Sequence, residues 1–248
     1  MPYSIGLAGK GGTGKTTIAG LLVKYLVENK RTPVLAVDAD SNANFNEVLG
    51  LKVEETLGDA REEMKKGVGT GMTKDVFMEM KLEQAVVEAE GYDLIVMGRP
   101  EGAGCYCAAN TLLTQYLSRL IDNYESVVID NEAGMEHISR LTTNNIDLLI
   151  IVSDASRRGI LSAARISELT DELGVRIGKK LFIINQVREE KKEDLIKVAE
   201  EFGLNIAGII PEDKNIRDFD LKGVPTIELE KESDSVKAAY EIFNKVLS

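Results

Sequence analysis

Along the chain, short runs of Val, Ile and Leu alternate with longer segments in which apolar residues return every three or four positions. A run of about five apolar residues bounded by turn signals reads as a strand buried on both faces, and the longer period reads as one face of a helix. Strands are thus predicted at residues 3–8, 32–37, 93–97, 126–129, 148–152, 181–184 and 206–210, and helices at 16–29, 109–123, 159–173 and 190–202. The expected fold is α/β, a single doubly wound, mostly parallel sheet of about seven or eight strands with helices on both faces.

Residues 51–91 break the alternation with charged helical sequence around Gly67-Val68-Gly69-Thr70-Gly71, and are expected to form a mobile helical insertion on the surface. No Pro-rich or Ser-rich linker and no internal repeat divides the chain, so residues 1–248 are expected to form one domain. The last helix, at 233–248, puts Val236, Ala239, Tyr240, Phe243 and Leu247 on one face. Its balanced charges favour docking on the sheet over a membrane.

Composition removes several functions. Hydrophobic residues make up 44% of the chain, enough for a sizeable core, which rules out disorder. Thirty basic against forty-one acidic side chains give a net charge of −11, which repels nucleic acid and anionic membranes, so neither is an expected partner. No apolar run is long enough to span a bilayer and Met1-Pro2-Tyr3-Ser4 is not signal-like, so a cytoplasmic location is expected. The lone histidine, His137, reads as a surface or helix-start residue and leaves no material for a Ser-His-Asp triad or a His-rich metal site.

After the first strand, Gly9-Lys10-Gly11-Gly12-Thr13-Gly14-Lys15-Thr16-Thr17 matches G-x-x-x-x-G-K-[ST] between a strand and a helix. Its glycines let backbone N–H groups approach phosphate oxygens, the helix adds its positive end, Lys15 supplies charge to the β- and γ-phosphates and Thr16 a ligand for Mg²⁺.

Lys10 is a second lysine in that loop, where phosphate cradling requires none. With it, Lys10-Gly11-Gly12-Thr13-Gly14-Lys15-Thr16 resembles the deviant Walker A motif of the P-loop NTPase family that includes nitrogenase iron protein, the septum-site ATPase MinD and the ParA partitioning proteins. The resemblance implies an ATPase that forms a homodimer with nucleotide, each Lys10 reaching the partner's phosphates. It makes Lys10, Lys15 and Asp40 the expected catalytic residues, with Asp40 activating water and Asp38 near the Mg²⁺ shell. Both aspartates lie in Asp38-Ala39-Asp40-Ser41-Asn42, at the carboxyl edge of the sheet, where open α/β folds bind ligands. The strand Val127-Val128-Ile129 and Asp130-Asn131-Glu132-Ala133-Gly134 resemble a Walker B strand with a switch glycine. That likeness implies that Asp130 holds Mg²⁺ through water and that Gly134 follows the γ-phosphate. Asn185 and Pro211-Glu212-Asp213 stand where the family recognises the base; an Asn amide matches adenine, and the Asn-Lys-x-Asp signature of guanine sites is absent, so ATP and ADP are the expected nucleotides.

The two cysteines, Cys105 and Cys107, are too close together to staple distant parts of the chain. They sit in a Gly-containing loop that opens a helix, which favours thiolates. One pair from each chain of a two-fold dimer makes four soft ligands, suited to Zn²⁺, Cu⁺ or Ni²⁺ without choosing among them. The alternative is two buried small hydrophobes. Met97-Gly98-Arg99-Pro100-Glu101-Gly102, the Cys-x-Cys and Asp130-Asn131-Glu132-Ala133-Gly134-Met135-Glu136-His137 together resemble the CooC/AcsF group of nickel-inserting ATPases. This resemblance implies Ni²⁺ as cargo, with Zn²⁺ as a substitute in purified protein, and carbon monoxide dehydrogenase or acetyl-CoA synthase as client. A positioning ATPase like MinD or ParA, and an electron-transfer ATPase sharing an iron–sulfur cluster across the dimer, are the alternatives.

Overall fold

The computed structural model describes residues 2–40, 44–67, 71–98, 107–131, 145–172 and 176–247. The chain enters through β1 (Tyr3–Ala8), turns into α1 (Lys15–Glu28) and returns as β2 (Val34–Ala39). Three helices follow, α2 (Phe45–Leu49), α3 (Leu57–Lys66) and α4 (Lys74–Ala85), then β3 (Val86–Ala89) and β4 (Tyr92–Val96). Beyond these come α5 (Cys107–Ile121), β5 (Ser126–Asn131), β6 (Asn145–Ser153), α6 (Arg157–Glu172) and β7 (Arg176–Val187). The remainder is α7 (Lys192–Glu201), β8 (Ile206–Pro211), α8 (Lys214–Lys222) and α9 (Asp234–Leu247).

Eight strands form one sheet in the order β3-β4-β2-β5-β1-β6-β7-β8, parallel throughout except for β3, which runs antiparallel to β4 at one edge. This is the doubly wound sheet expected from the alternating pattern. Its central strands are apolar on both faces because helices cover both. On one side, α1 and α9 pack Leu22, Leu26, Val236, Ala239 and Phe243 against β1, β2 and β6. On the other, α3, α4 and α5 pack Leu57, Met78, Leu82, Leu113 and Leu117 against β2, β4 and β5. The terminal helix therefore docks on the sheet through the apolar face seen in the sequence.

The 51–91 segment is not a surface appendage. Leu57, Ala60 and Met64 of α3 and Met78, Leu82 and Ala85 of α4 recur at helical spacing and are buried, so the charged residues between them form only the outer faces. Thr56 starts α3 with a reciprocal capping box to Asp59. Lys81, largely sequestered, sits between Glu55 at 2.5 Å and Glu63 at 2.7 Å and ties α4 to α3 and to the loop that precedes α3. The segment also contains β3, a four-residue edge strand too short and too half-buried to announce itself by periodicity. The glycine stretch within it lies largely outside the described residues.

Other boundaries shift for simple reasons. β2 starts at Val34 because Pro33 has no N–H for the ladder. β7 begins at Arg176, five residues before its apolar run, since its first half pairs with β6 while its side chains stay largely exposed. No helix among the described residues is long and apolar enough to cross a membrane.

If α4 is part of the wall of the core, Met78→Ala should destabilise the protein by about 2–5 kcal/mol in urea unfolding, whereas Val76→Ala, on the exposed side of the same helix, should change stability by less than about 0.5 kcal/mol. Equal, small effects would return the segment to the surface.

Candidate nucleotide-binding site

Parallel register brings the chemistry together. Asp38 of β2 stands level with Asp130 of β5, and Asp130 level with Leu7 of β1, two residues before the loop begins. Three adjacent strands thus deliver two carboxylates and the phosphate-binding loop to one carboxyl edge.

Within the loop the Lys10 carbonyl is a hub. It accepts from Thr13 Oγ1 at 2.9 Å, Thr13 N at 3.4 Å and Lys15 Nζ at 3.3 Å, so the loop is folded on itself and the buried Lys15 ammonium is aimed at the loop interior. Gly14, the N-cap of α1, has φ 84°, and a side chain there would begin 2.3 Å from Asn185 Nδ2. Gly9 is equally constrained, since a Cβ would lie 2.3 Å from the carbonyl oxygen of Val152 on β6. By contrast, a Cβ on Gly11 or Gly12 meets nothing within 4 Å, so the mouth of the loop, with Lys10, is open.

Asparagines hold the loop from both flanks. Asn131, at the end of β5, donates to Leu7 O at 2.9 Å, and Asn185, at the end of β7, donates to Thr13 O at 2.9 Å. The pattern of strands did not single out Asn131, which follows a more conspicuous aspartate.

Thr16 Oγ1 donates to Asp130 Oδ2 at 2.6 Å, while Asp130 Oδ1 is buried with no hydrogen-bond partner. Asp38 accepts from the backbone N–H of Asp40 at 3.0 Å and of Phe45 at 2.9 Å. Burial dominates both carboxyls. It pushes Asp38 up to about 7, helped by Asp130 and Asp40 and opposed by the two N–H groups. It pushes Asp130 up to about 6, helped by Asp40 and opposed by the Thr16 hydroxyl and Lys15. Even with Lys15 beside Asp130, a site of crowded acids with an orphaned oxygen is short of positive charge, and these hard oxygen donors suit Mg²⁺. Among the described residues no three His, Cys, Asp or Glu side chains form a metal cage by themselves. Mg²⁺ typically takes one or two carboxylates and completes its shell with phosphate oxygens and water.

The remaining predicted positions separate. Thr17 lies half-buried in the first turn of α1, behind the loop. Pro211 ends β8. Glu212 is ion-paired with Arg188 at 2.9 Å and Arg217 at 3.0 Å. Asp213 caps α8 through Asn215 N at 2.8 Å and accepts from Ser233 and Ser235, so its carboxylate is spent on structure. Cys107 opens α5, while Cys105, the side chain of Cys107, Gly134 and His137 lie outside what is described. Two further features at this edge were not read from the sequence. Asp154, after β6, accepts from the Ser156 hydroxyl that caps α6, and Gln186 has φ 59°. A carboxylate after an apolar strand was a legible signal; a left-handed glutamine was not.

A phosphate-binding loop on β1, flanked by aspartates from β2 and β5 of a parallel sheet, defines a P-loop nucleotide-binding protein. The chain belongs to the CobQ/CobB/MinD/ParA nucleotide binding domain family, whose profile matches residues 5–227. It is 44% identical over 249 residues, covering 98% of each chain, to an uncharacterised ATP-binding protein of Methanocaldococcus jannaschii. It is 32% identical over 240 residues to the carbon monoxide dehydrogenase accessory protein CooC of Rhodospirillum rubrum, covering 91% of this chain and 89% of that protein. Among solved structures, the septum site-determining protein MinD of Pyrococcus horikoshii with Mg-ADP superposes with a TM-score of 0.71 at 24% identity, covering 99% and 96% of the two chains.

The raised carboxyls set a pH dependence. Each contributes stability that is fully present below its ordinary value of 3.8 and is lost as pH rises through about 6 for Asp130 and about 7 for Asp38. In EDTA, urea unfolding should therefore show stability falling between about pH 4 and about pH 7, and saturating Mg-ADP should remove most of that fall. A flat profile in EDTA would contradict the burial of two charges side by side.

Proposed function

We propose that the protein is an ATP-dependent metallochaperone: a homodimeric ATPase that carries nickel on the Cys105 and Cys107 thiolates and delivers it to a carbon monoxide dehydrogenase or acetyl-CoA synthase. The observation that carries this reading is the Cys-x-Cys pair of the sequence, whose Cys107 opens α5, in a chain related over most of its length to a carbon monoxide dehydrogenase accessory protein. β4, the strand before that helix, ends with Val96 level with Asp38.

In this account the loop Gly9 to Thr17 holds ATP and the two Lys10 side chains exchange between protomers. Lys15, held on the Lys10 carbonyl, faces the β- and γ-phosphates, and Asn185 keeps the loop against β7. Thr16, Asp38 and Asp130 are the residues that would hold Mg²⁺, which supplies charge neutralisation at the phosphates. Asp40 orients the attacking water, and Gly134 reports loss of the γ-phosphate. Two thiolates per protomer make a four-sulfur site only in the dimer, so nucleotide-dependent dimer geometry sets how tightly nickel is held.

Anaerobic titration of the reduced protein with Ni²⁺ should give about half a metal per chain with thiolate charge-transfer absorption, in a species of dimer size. Changing both cysteines to Ser should abolish this binding and leave ATP turnover in place. Lys15→Ala and Asp40→Ala should do the reverse, lowering turnover by at least about 100-fold with nickel stoichiometry intact. Absence of tight nickel binding in every nucleotide state would overturn the metallochaperone reading. The MinD-like alternative, supported by 28% identity to a chloroplastic MinD homologue of Arabidopsis thaliana, would then be tested by ATP-dependent sedimentation with liposomes.

A further inference from the structure

Non-glycine residues avoid left-handed backbone because Cβ crowds the following carbonyl, and those that adopt it need a reason. Two described residues do so, Lys30 and Gln186. Lys30 is explained locally, since it follows the end of α1, where its N–H bonds back to Val27 O and that of Arg31 to Leu26 O, the usual left-handed helix stop. Gln186 ends no helix. It is the penultimate residue of β7, where the pairing with β8 slips between Ile184 and Val187, so its backbone conformation goes with an irregularity in the sheet.

What the deformation achieves is placement. Gln186 is exposed, and its Nε2 lies 3.7 Å from where a side chain on Gly14 would begin, at the mouth of α1. Its carboxamide makes no hydrogen bond among the described residues. Among the neighbours expected from sequence to read the base, Asn185 is buried with its Nδ2 bonded to Thr13 O, Glu212 is held by two arginines, and Asp213 is held by Ser233, Ser235 and the first turn of α8. Direction follows from strand order. Asp130 and Asp38 lie on the β5 and β2 flank of the loop, so the metal-bound end of the phosphates is on that side. The nucleoside of the same molecule therefore extends to the other flank, over β6 and β7, where Gln186 stands.

We infer that Gln186 is a nucleoside-contacting, specificity-determining residue, its free carboxamide bonding the base or ribose of a nucleotide seated in the loop. The inference rests on the nucleotide-binding reading of the loop and adds to it the residue that grips the nucleoside.

Gln186→Gly is the informative variant, because glycine accepts the left-handed backbone without strain while deleting the carboxamide. A structural role and a binding role then move in opposite directions. The apo thermal midpoint should stay the same or rise, whereas the Kd for mant-ADP with Mg²⁺ should weaken about fivefold or more, with a smaller difference between mant-ADP and mant-GDP than in the wild type. Lys15→Ala serves as the control for phosphate binding. If wild-type protein binds mant-ADP and Gln186→Gly binds it equally tightly, the role of Gln186 is overturned while the loop reading stands. If wild-type protein binds neither mant nucleotide, both fall together.

Discussion

Burying Asp38 and Asp130 side by side at the end of β2 and β5 is the constraint on which the site depends. Two carboxyls in register on adjacent strands, with Asp40 close by, cannot all ionise comfortably out of water, and the rise of both titrations expresses that. The fold tolerates the arrangement because the Thr16 hydroxyl and Lys15 act on Asp130 and two backbone N–H groups act on Asp38. These offset only part of the desolvation. The remainder is an unfilled demand for cationic charge, met when a metal and its nucleotide arrive together, so ligand binding and local stability are linked in this corner of the sheet.

The loop, for its part, is braced by hydrogen bonds within the protein. Its Lys10 carbonyl gathers Thr13 and Lys15, Asn131 anchors the strand that leads in, and Asn185 anchors the turn that leads out. Gly9 and Gly14 are required by close approach of β6 and of Asn185, whereas Gly11 and Gly12 face open space. Backbone N–H groups aimed at phosphate need such preorganisation, because a loop that had to be ordered on binding would forfeit much of the interaction. The open side is where the exposed Lys10 stands.

The parallel core was legible because Val, Ile and Leu runs bounded by turns can hardly be anything else, and the loop because its residue types have one physical use together. Helices α3 and α4 were harder. Their buried residues, Leu57, Ala60, Met64, Met78, Leu82 and Ala85, are thinly spread among charges, so composition spoke for the solvent face while the narrow apolar stripe carried the packing. Strand-end chemistry was legible in part: aspartates after apolar runs stood out, yet which side chains are engaged by neighbours depends on distant residues. Asp213 shows this, its partners Ser233 and Ser235 lying twenty residues away. Nor does any local pattern announce that Gln186 is forced into left-handed backbone, since the slip of β7 against β8 is a tertiary event.

If nucleotide and metal are coupled as proposed, the two sites must share an element that each ligand biases, and the backbone bond between Asp38 and Met97 is a candidate. The side chain of Asp38 belongs to the carboxylate cluster, while its carbonyl accepts from Met97 N at 2.8 Å. Met97 in turn offers its carbonyl to Gly58 N at the start of α3, at 2.9 Å, and the chain beyond Gly98 carries the two cysteines. Gly98 is itself pressed against Thr56, whose Oγ1 lies 2.3 Å from where a Cβ would begin. A shift of Asp38 on loss of the γ-phosphate would therefore be felt at Met97, just before the cysteine segment, through one backbone bond, and at α3 through a second. Reciprocity fixes the consequence: if nucleotide state changes nickel affinity by some factor, nickel must change the preference between nucleotide states by the same factor. A chaperone built this way would hold its cargo in one state and give it up in the other only to the extent that the tie between Asp38 and Met97 transmits the difference.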